Sequence, residues 1–404
     1  MKAYERLIRY TAFPTASDEA SQSWPSTPQQ RVFAEALAEE MKELGMTEIS
    51  VDENGYCFGT IESNIENWNG KTIGFIAHLD VVRDVPFENI KTRLIPNYDG
   101  GVVTLESGAQ MDPAEYVFLK NYVGETLLVT DGTTLLGADD KAGIANVLTY
   151  AEYCKEHPEY KHGRVRVGFT PDEEIGRGAL RFDIKAFGAD YAYTLDGGFF
   201  GEVCYETFNA ASAKITVEGV NIHPGSAKGK MINAARIAAE YDSLLPEAER
   251  PENTEGYEGF YHLIGMKGET EHAELYYILR DHDAGKLNEK KAKVIEAAEQ
   301  LNRKYGKELV KAEVADSYRN MKEVLVDHMH LIDNACEAVR KTGREPTMVA
   351  ARGGTDGCQL SFMGLPCPNL GTGSHNHHGK MEFAIVEEMD KCVEMIRNIV
   401  DYYA

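Results

Sequence analysis

The sequence predicts an α/β protein in which a discontinuous larger domain, built on a mixed or parallel sheet covered by helices, carries an inserted ferredoxin-like α+β small domain. Three observations lead there. Short apolar runs alternate with helical patterns up to about residue 200, the order becomes a compact β-α-β-β-α-β from about residue 209, and α/β character returns after residue 318. A chain of 404 residues also has room for two domains of ordinary size.

Apolar residues at helical spacing place a helix over 29–44. Apolar runs at 72–77 and 126–130 read as strands, a helix runs from 141 to about 155, and strands follow at 164–169 and 191–195. Runs this apolar suit strands buried on both faces, and such sheets gather ligands beyond their carboxyl ends. In the insertion, a strand at 212–218 leads to a helix at 233–245, strands at 261–267 and 273–280, a charged helix at 287–305 and a strand at 308–315. The return brings a helix over 323–341, a strand at 347–350, a Gly-rich turn and a closing helix over 386–402. The two domains are therefore expected at 1–208 with 319–404, and at 209–318. Within the second, the polar stretch 246–256 (PEAERPENTEG) is expected to be a mobile loop.

Lys and Arg number 42 against 65 Asp and Glu, a net charge of −23 that repels nucleic-acid phosphates and anionic membrane surfaces. No apolar stretch approaches the roughly 20 residues that cross a bilayer. The opening MKAYERLIRYTAFPT has charges where a signal peptide needs an apolar run. A cytoplasmic protein without nucleic-acid or membrane partners is expected. The seven cysteines are scattered and form no CxxC pair, so they read as reduced packing residues.

Five clusters carry chemistry. The run IGFIAHLD ends a buried strand with His78 and Asp80 on one side and Leu79 on the other. Alone, that pair is equally well a structural neighbour contact. LLGADDKAG joins a strand to a helix through Gly137, with Asp139 and Asp140 at the turn; one carboxylate can cap the helix while the other binds a metal. PDEE, after the strand VRVGFT, places Glu173 and Glu174 on an irregular loop where adjacent side chains diverge, so one is free to bind metal and the other to handle protons. Asp196 ends the strand YAYTLDGG, and SHNHHGKMEF offers His375, His377 and His378 before the final helix. Each cluster falls at the expected carboxyl end of a strand or in the loop beyond it, which is where an open α/β sheet builds its site. Imidazole and carboxylate donors without thiolates suit zinc, with manganese or cobalt as alternatives, and three carboxylates with one hydroxide would neutralise two dications. Such a pair of ions suits amide hydrolysis.

These residues, in this order, resemble the M20 metallopeptidases, most closely their tripeptide-cleaving aminopeptidases. The resemblance runs along nearly the whole chain through IAHLDVV, TLLGADDKAGIA, GFTPDEEIGRGA, LDGG, FNAAS, HPGSAKGKMINA, YILRDHD, RGGTDG, QLSFMGLPCPNLGTG and NHHGKMEF. It implies that His78, Asp140, Glu174, Asp196 and His378 are the metal ligands, with Asp140 bridging two divalent ions. It further implies that Asp80 orients His78, that Glu173 is the general base for attack by a metal-bridging hydroxide, and that His223 stabilises the oxyanion, in its own or a partner subunit. A non-standard peptide, cis in form, between Asp139 and Asp140 also follows from it. His377 stands where the family pattern has an aromatic residue, so a swap of ligand from His378 to His377 is the alternative. Arg280 and Arg352 resemble substrate-binding positions, where a guanidinium fork suits a terminal carboxylate, with a structural ion pair as the other reading. The function implied is release of the N-terminal residue from tripeptides, with a homodimer through the small domain. The rivals are another hydrolase of the family (dipeptidase, carboxypeptidase or N-acyl amino acid deacylase) and a non-catalytic metal- or peptide-binding protein.

Overall fold

The computed structural model describes all residues, Met1–Ala404. The chain divides into two compact units, one of Met1–Tyr205, Glu323–Val349 and Thr355–Ala404, the other of Glu206–Lys322 with Ala350–Gly354. The short segment Ala350–Gly354 was expected with the larger domain and instead belongs with the second unit.

The largest sheet is mixed and eight-stranded, in the order Thr47–Val51, Cys57–Ile61, Val165–Thr170, Ile73–His78, Tyr191–Gly197, Asn369–Gly371, Glu202–Thr207, Thr347–Ala351. Its centre is parallel: Ile73–His78 pairs in parallel with Val165–Thr170 on one side and Tyr191–Gly197 on the other, and Asn369–Gly371 extends this with Tyr191–Gly197. Every residue of Ile73–His78 and of Val165–Thr170 is buried, the mark of strands covered on both faces. Helix Ala138–Glu156 is among the covering elements and packs on the two strands Ile73–His78 and Tyr191–Gly197. Because the central strands run in parallel, their carboxyl ends converge at one edge; the Leu79 amide, just past its strand, still donates to the Thr170 carbonyl at 2.8 Å.

Two sequence expectations change here. Leu127–Thr130 is a strand, but not of this sheet. It lies in a separate sheet ordered Ser374–His375, Phe383–Ile385, Leu127–Thr130, Thr92–Ile95. A fully buried run does not reveal which sheet buries it. The helix expected over 323–341 is broken into Lys322–Leu325, a 3-10 turn Val326–His328 and Met329–Lys341. No helix is long and apolar enough to cross a membrane. All seven cysteines are free, six of them buried.

The second unit has four antiparallel strands in the order Phe260–Gly268, His272–Asp281, Asn209–Glu218, Val310–Tyr318, with helices Ala234–Asp242 and Ala284–Tyr305. This is the ferredoxin-like arrangement. Strand His272–Asp281 alternates strictly, and its buried set Ala273, Leu275, Tyr277 and Leu279 joins Ile237, Tyr241, Val294 and Leu301 of the helices in one core. The stretch expected to be a mobile loop folds into two 3-10 turns, Glu247–Glu249 and Pro251–Asn253. Beyond it, Arg352 donates to the carbonyls of Gly256 and Glu258, both at 2.8 Å, and to Thr254 Oγ1 at 2.9 Å.

Candidate metal centre

Five segments bring the site together at the carboxyl edge of the parallel strands. His78 is the last residue of its strand, and Asp196 lies near the end of the neighbouring one. Glu173 and Glu174 open a 3-10 turn after Val165–Thr170. That turn is set by buried acceptors. Asp172, with a left-handed φ of 60°, accepts from the Ser26 amide at 2.8 Å, the Ser26 hydroxyl and Gln30 Nε2, while its own amide donates to Gln30 Oε1. Asp80 then accepts from the amides of Glu173 and Glu174 at 3.0 and 3.1 Å, one on each carboxylate oxygen. Its backbone carbonyl lies 3.1 Å from His78 Nδ1, and its Oδ1 3.5 Å away, so one residue orients both the imidazole and the acidic turn.

The fourth segment enters helix Ala138–Glu156 through Gly137, whose φ of 75° suits a residue without Cβ. Glu382, fully enclosed, accepts from the amides of Leu136, Gly137 and Asp139 at 2.7, 2.8 and 3.0 Å. The peptide between Asp139 and Asp140 is cis, and both residues have non-helical backbone angles. The two side chains part. Asp140 turns inward, its carboxylate accepting from the His78 amide at 3.1 Å and the Gly143 amide at 3.2 Å. Asp139 faces the edge: Oδ1 lies 3.0 Å from His78 Nε2, and Oδ2 lies 3.1 Å from His378 Nε2. The carboxylate between the two imidazoles is therefore Asp139, and Asp140, expected there as the bridging ligand, instead caps the helix start and holds the His78 backbone.

The fifth segment is the hairpin of Ser374–His375 and Phe383–Ile385, which pairs with Leu127–Thr130 and so carries its tip to the start of the same helix. His378 Nε2 also lies 3.1 Å from Glu174 Oε2. His377 binds Ser374 Oγ through Nε2 at 2.8 Å, with Nδ1 3.5 Å from Asp139. His375 is stacked away among Phe118, Tyr122 and Phe383.

The ligand atoms of His78, Asp139 and Glu174 all lie within 4.8 Å of one another, and so do those of His78, Glu173 and Asp196. The two sets share His78, so they form one continuous cluster of imidazole and carboxylate donors. The electrostatics agree. Burial, and then the Asp139 charge, push Glu174 up to about 7, while burial, and then Asp196, hold Glu173 well above the usual carboxylate range. Asp139 and Glu174 raise His378 to about 10. Glu174 Oε1 is buried without a hydrogen-bond partner. Carboxylates crowded until they hold protons, with one unpaired oxygen, fit dications at this place.

The remaining expected residues lie in the second unit. His223 is exposed, its Nδ1 accepting from the Gly225 amide at 3.1 Å. Arg280 donates through Nη1 to the carbonyls of Leu279 and Ala211 and lies over the Tyr318 ring. Arg352 spends both Nη groups on the 254–258 segment and lies over the rings of Phe208 and Phe260. Sequence reasoning passed over Glu382, Asp172 and the buried Asp356. An acidic residue inside an apolar run, as Glu382 is between Met381 and Phe383, was the available signal.

An open α/β sheet with a His and carboxylate centre at its carboxyl edge defines a metallohydrolase. The chain belongs to peptidase family M20/M25/M40, whose model matches residues 132–402, and it is accordingly a peptidase. It is 52% identical over 404 residues to Peptidase T of Caldanaerobacter subterraneus, covering 100% of this chain and 98% of that one. With Peptidase T of Clostridium acetobutylicum it is 49% identical over 402 residues, 99% and 98% of the two chains. The crystal structure of aminopeptidase PepT from Bacillus cereus matches with a TM-score of 0.75 at 25% identity, covering 98% of each chain.

Proposed function

We propose that the protein is an aminopeptidase that releases the first residue of tripeptides with two divalent ions, zinc being the ion its donor set suits best. The observation that carries this reading is identity of about one half, over the full chain, with relatives named Peptidase T. His78, Asp139, Glu174, Asp196 and His378 are the proposed ligands. Asp139 would be the ligand common to both ions, since its two oxygens face His78 and His378 separately. Ions held there supply Lewis acidity that polarises a peptide carbonyl and eases deprotonation of water. Glu173 then acts as general base, accepting the proton of the attacking water at its carboxylate and delivering it to the departing amine nitrogen. Its raised pKa suits both halves of that task. Asp80 keeps Glu173 and Glu174 aimed through their amides and keeps His78 in register.

His223 as oxyanion donor rests on the family pattern, as does a homodimer through the second unit. Arg280 is the proposed contact for the substrate's terminal carboxylate. Arg352 is reassigned to holding the 254–258 segment, since its Nη donors are occupied there. Product chromatography with zinc, manganese or cobalt tests the reading, offering a tripeptide, its dipeptide, its tetrapeptide and its N-acetylated form. Release of the first residue from the free tripeptide alone, abolished by chelator, supports it. Cleavage of the blocked or shorter peptides moves the enzyme to another activity of the family, and metal binding without any cleavage leaves a binding protein.

A further inference from the structure

A cavity of about 690 Å³ opens beside the centre, entirely within the first unit. It is lined by residues 17–20, by residues 82–84 and by Glu174 and Ile175. Glu174 ties it to the chemistry, since Oε2 of that side chain faces His378 and its Oε1 is the buried, unpartnered oxygen. The side chain is only 7% exposed.

The walls are fixed in place. Arg83 reaches Asp18 at 3.0 Å, joining one wall to the other. Arg177, from the acidic turn, donates to the carbonyls of Glu19 at 3.2 Å and Ser21 at 3.0 Å. The Asp18 amide donates to Ser26 Oγ, and that hydroxyl donates to Asp172. The loop that walls the cavity is thus pinned to the loop that carries Glu173 and Glu174. A preformed recess of this size falls within the roughly 300–1,000 Å³ of ordinary ligand sites.

Its charge selects an occupant. Asp18, Glu19 and Asp84 face it against the single cation Arg83, which is engaged by Asp18, while Glu174 is committed to the metal centre. Neither Asp84 nor Glu19 has an ion-pair partner, and both are exposed. A tripeptide lying across the centre has an ammonium at one end and a carboxylate at the other. An acidic recess attracts the first and repels the second. Ala20, Val82 and Ile175 add apolar surface for an aliphatic stem.

We infer that this cavity receives the first residue of the peptide, with Asp84 and Glu19 favouring positive charge there. The inference rests on the aminopeptidase reading and names its specificity subsite. It predicts that N-terminal Lys or Arg is preferred over N-terminal Glu or Asp, with aliphatic residues between.

The test measures kcat/KM of the metal-loaded enzyme on Lys-Gly-Gly, Leu-Gly-Gly, Glu-Gly-Gly and Gly-Gly-Gly, with Gly-Gly-Lys and Gly-Gly-Glu as the opposite-end pair. Asp84→Asn is expected to lower the Lys to Glu ratio at the first position about fivefold, with Leu-Gly-Gly within about twofold of the parent. Glu19→Gln in the same chain should lower the ratio further. Val82→Trp should raise KM for the Lys and Leu substrates and spare Gly-Gly-Gly. An unchanged ratio in both charge variants overturns the inference, and so does a shift confined to the third position, which would put the other end of the peptide in the cavity. If the parent enzyme releases no first residue from any of these peptides, the aminopeptidase reading itself has failed.

Discussion

Asp139 and Asp140 are joined by one peptide bond and do different work. Asp139 stands between two imidazoles; Asp140 serves the amides of His78 and Gly143. Asp139→Asn should therefore abolish stoichiometric metal binding, whereas Asp140→Asn should weaken it on the order of 10- to 100-fold, as removal of outer supports does. Metal content after dialysis against graded chelator separates the two. Glu173→Ala should keep metal yet lose about 10²- to 10⁴-fold in kcat. Burial raises Glu173, so its deprotonated form is gained as pH rises, and the acid limb of kcat/KM should lie above the ordinary carboxylate range of about 4 and vanish in that variant. At this scale the sequence was legible as to residue type and place, but not as to direction. Which Asp faces the imidazoles of His78 and His378 is decided by Gly137 and by Glu382, whose amide contacts reach across more than 240 positions of chain.

Elements position these residues through a few tight approaches. Glu382 links the hairpin that bears His378 to the turn that bears Asp139. Glu382→Ala strands three amides and should cost about 3 kcal/mol, read by urea denaturation of the metal-free protein, with a matching loss of metal affinity. Gly143 lies where helix Ala138–Glu156 meets strand Tyr191–Gly197, and a Cβ there would collide with the Leu195 carbonyl oxygen. Gly143→Ala should destabilise by about 1–3 kcal/mol and disturb Asp140, whose carboxylate the Cβ would also meet, together with Asp196 beside Leu195, which metal titration would register. The central strands and the four strands of the second unit were readable because apolar runs and strict alternation report burial directly. Leu127–Thr130 was readable as a strand only. Its partner Phe383–Ile385 is distant in sequence, and pairing of that kind leaves no local pattern. Helix Ala3–Tyr10 and strands Thr47–Val51 and Cys57–Ile61 were not read at all, the helix being short and the strand Thr47–Val51 largely exposed.

For the molecule as a whole, the crowded centre makes metal-free stability depend on pH. Burial holds Glu174 and Asp356 each at about 7, so the folded chain keeps protons that the unfolded chain releases near pH 4. Stability therefore falls as pH rises from about 4 to about 7. His378, raised to about 10 by Asp139 and Glu174, acts in the same direction: its contribution is complete below about 6.5 and lost towards pH 10. Thermal denaturation of chelated protein should show Tm lower at pH 8 than at pH 5 by on the order of 5 °C, with added zinc raising Tm more at pH 8.

The pentapeptide Ala350–Gly354 makes the second unit discontinuous in sequence. That unit is encoded in two stretches of the gene, and the smaller carries Arg352, whose guanidinium holds three carbonyls or hydroxyls of 254–258 and covers Phe208 and Phe260. A recombination that exchanged 206–322 alone between relatives would bring in a loop evolved against one arginine environment and leave it facing another. Natural or engineered chimaeras should survive best when both stretches are exchanged together, as one inherited set.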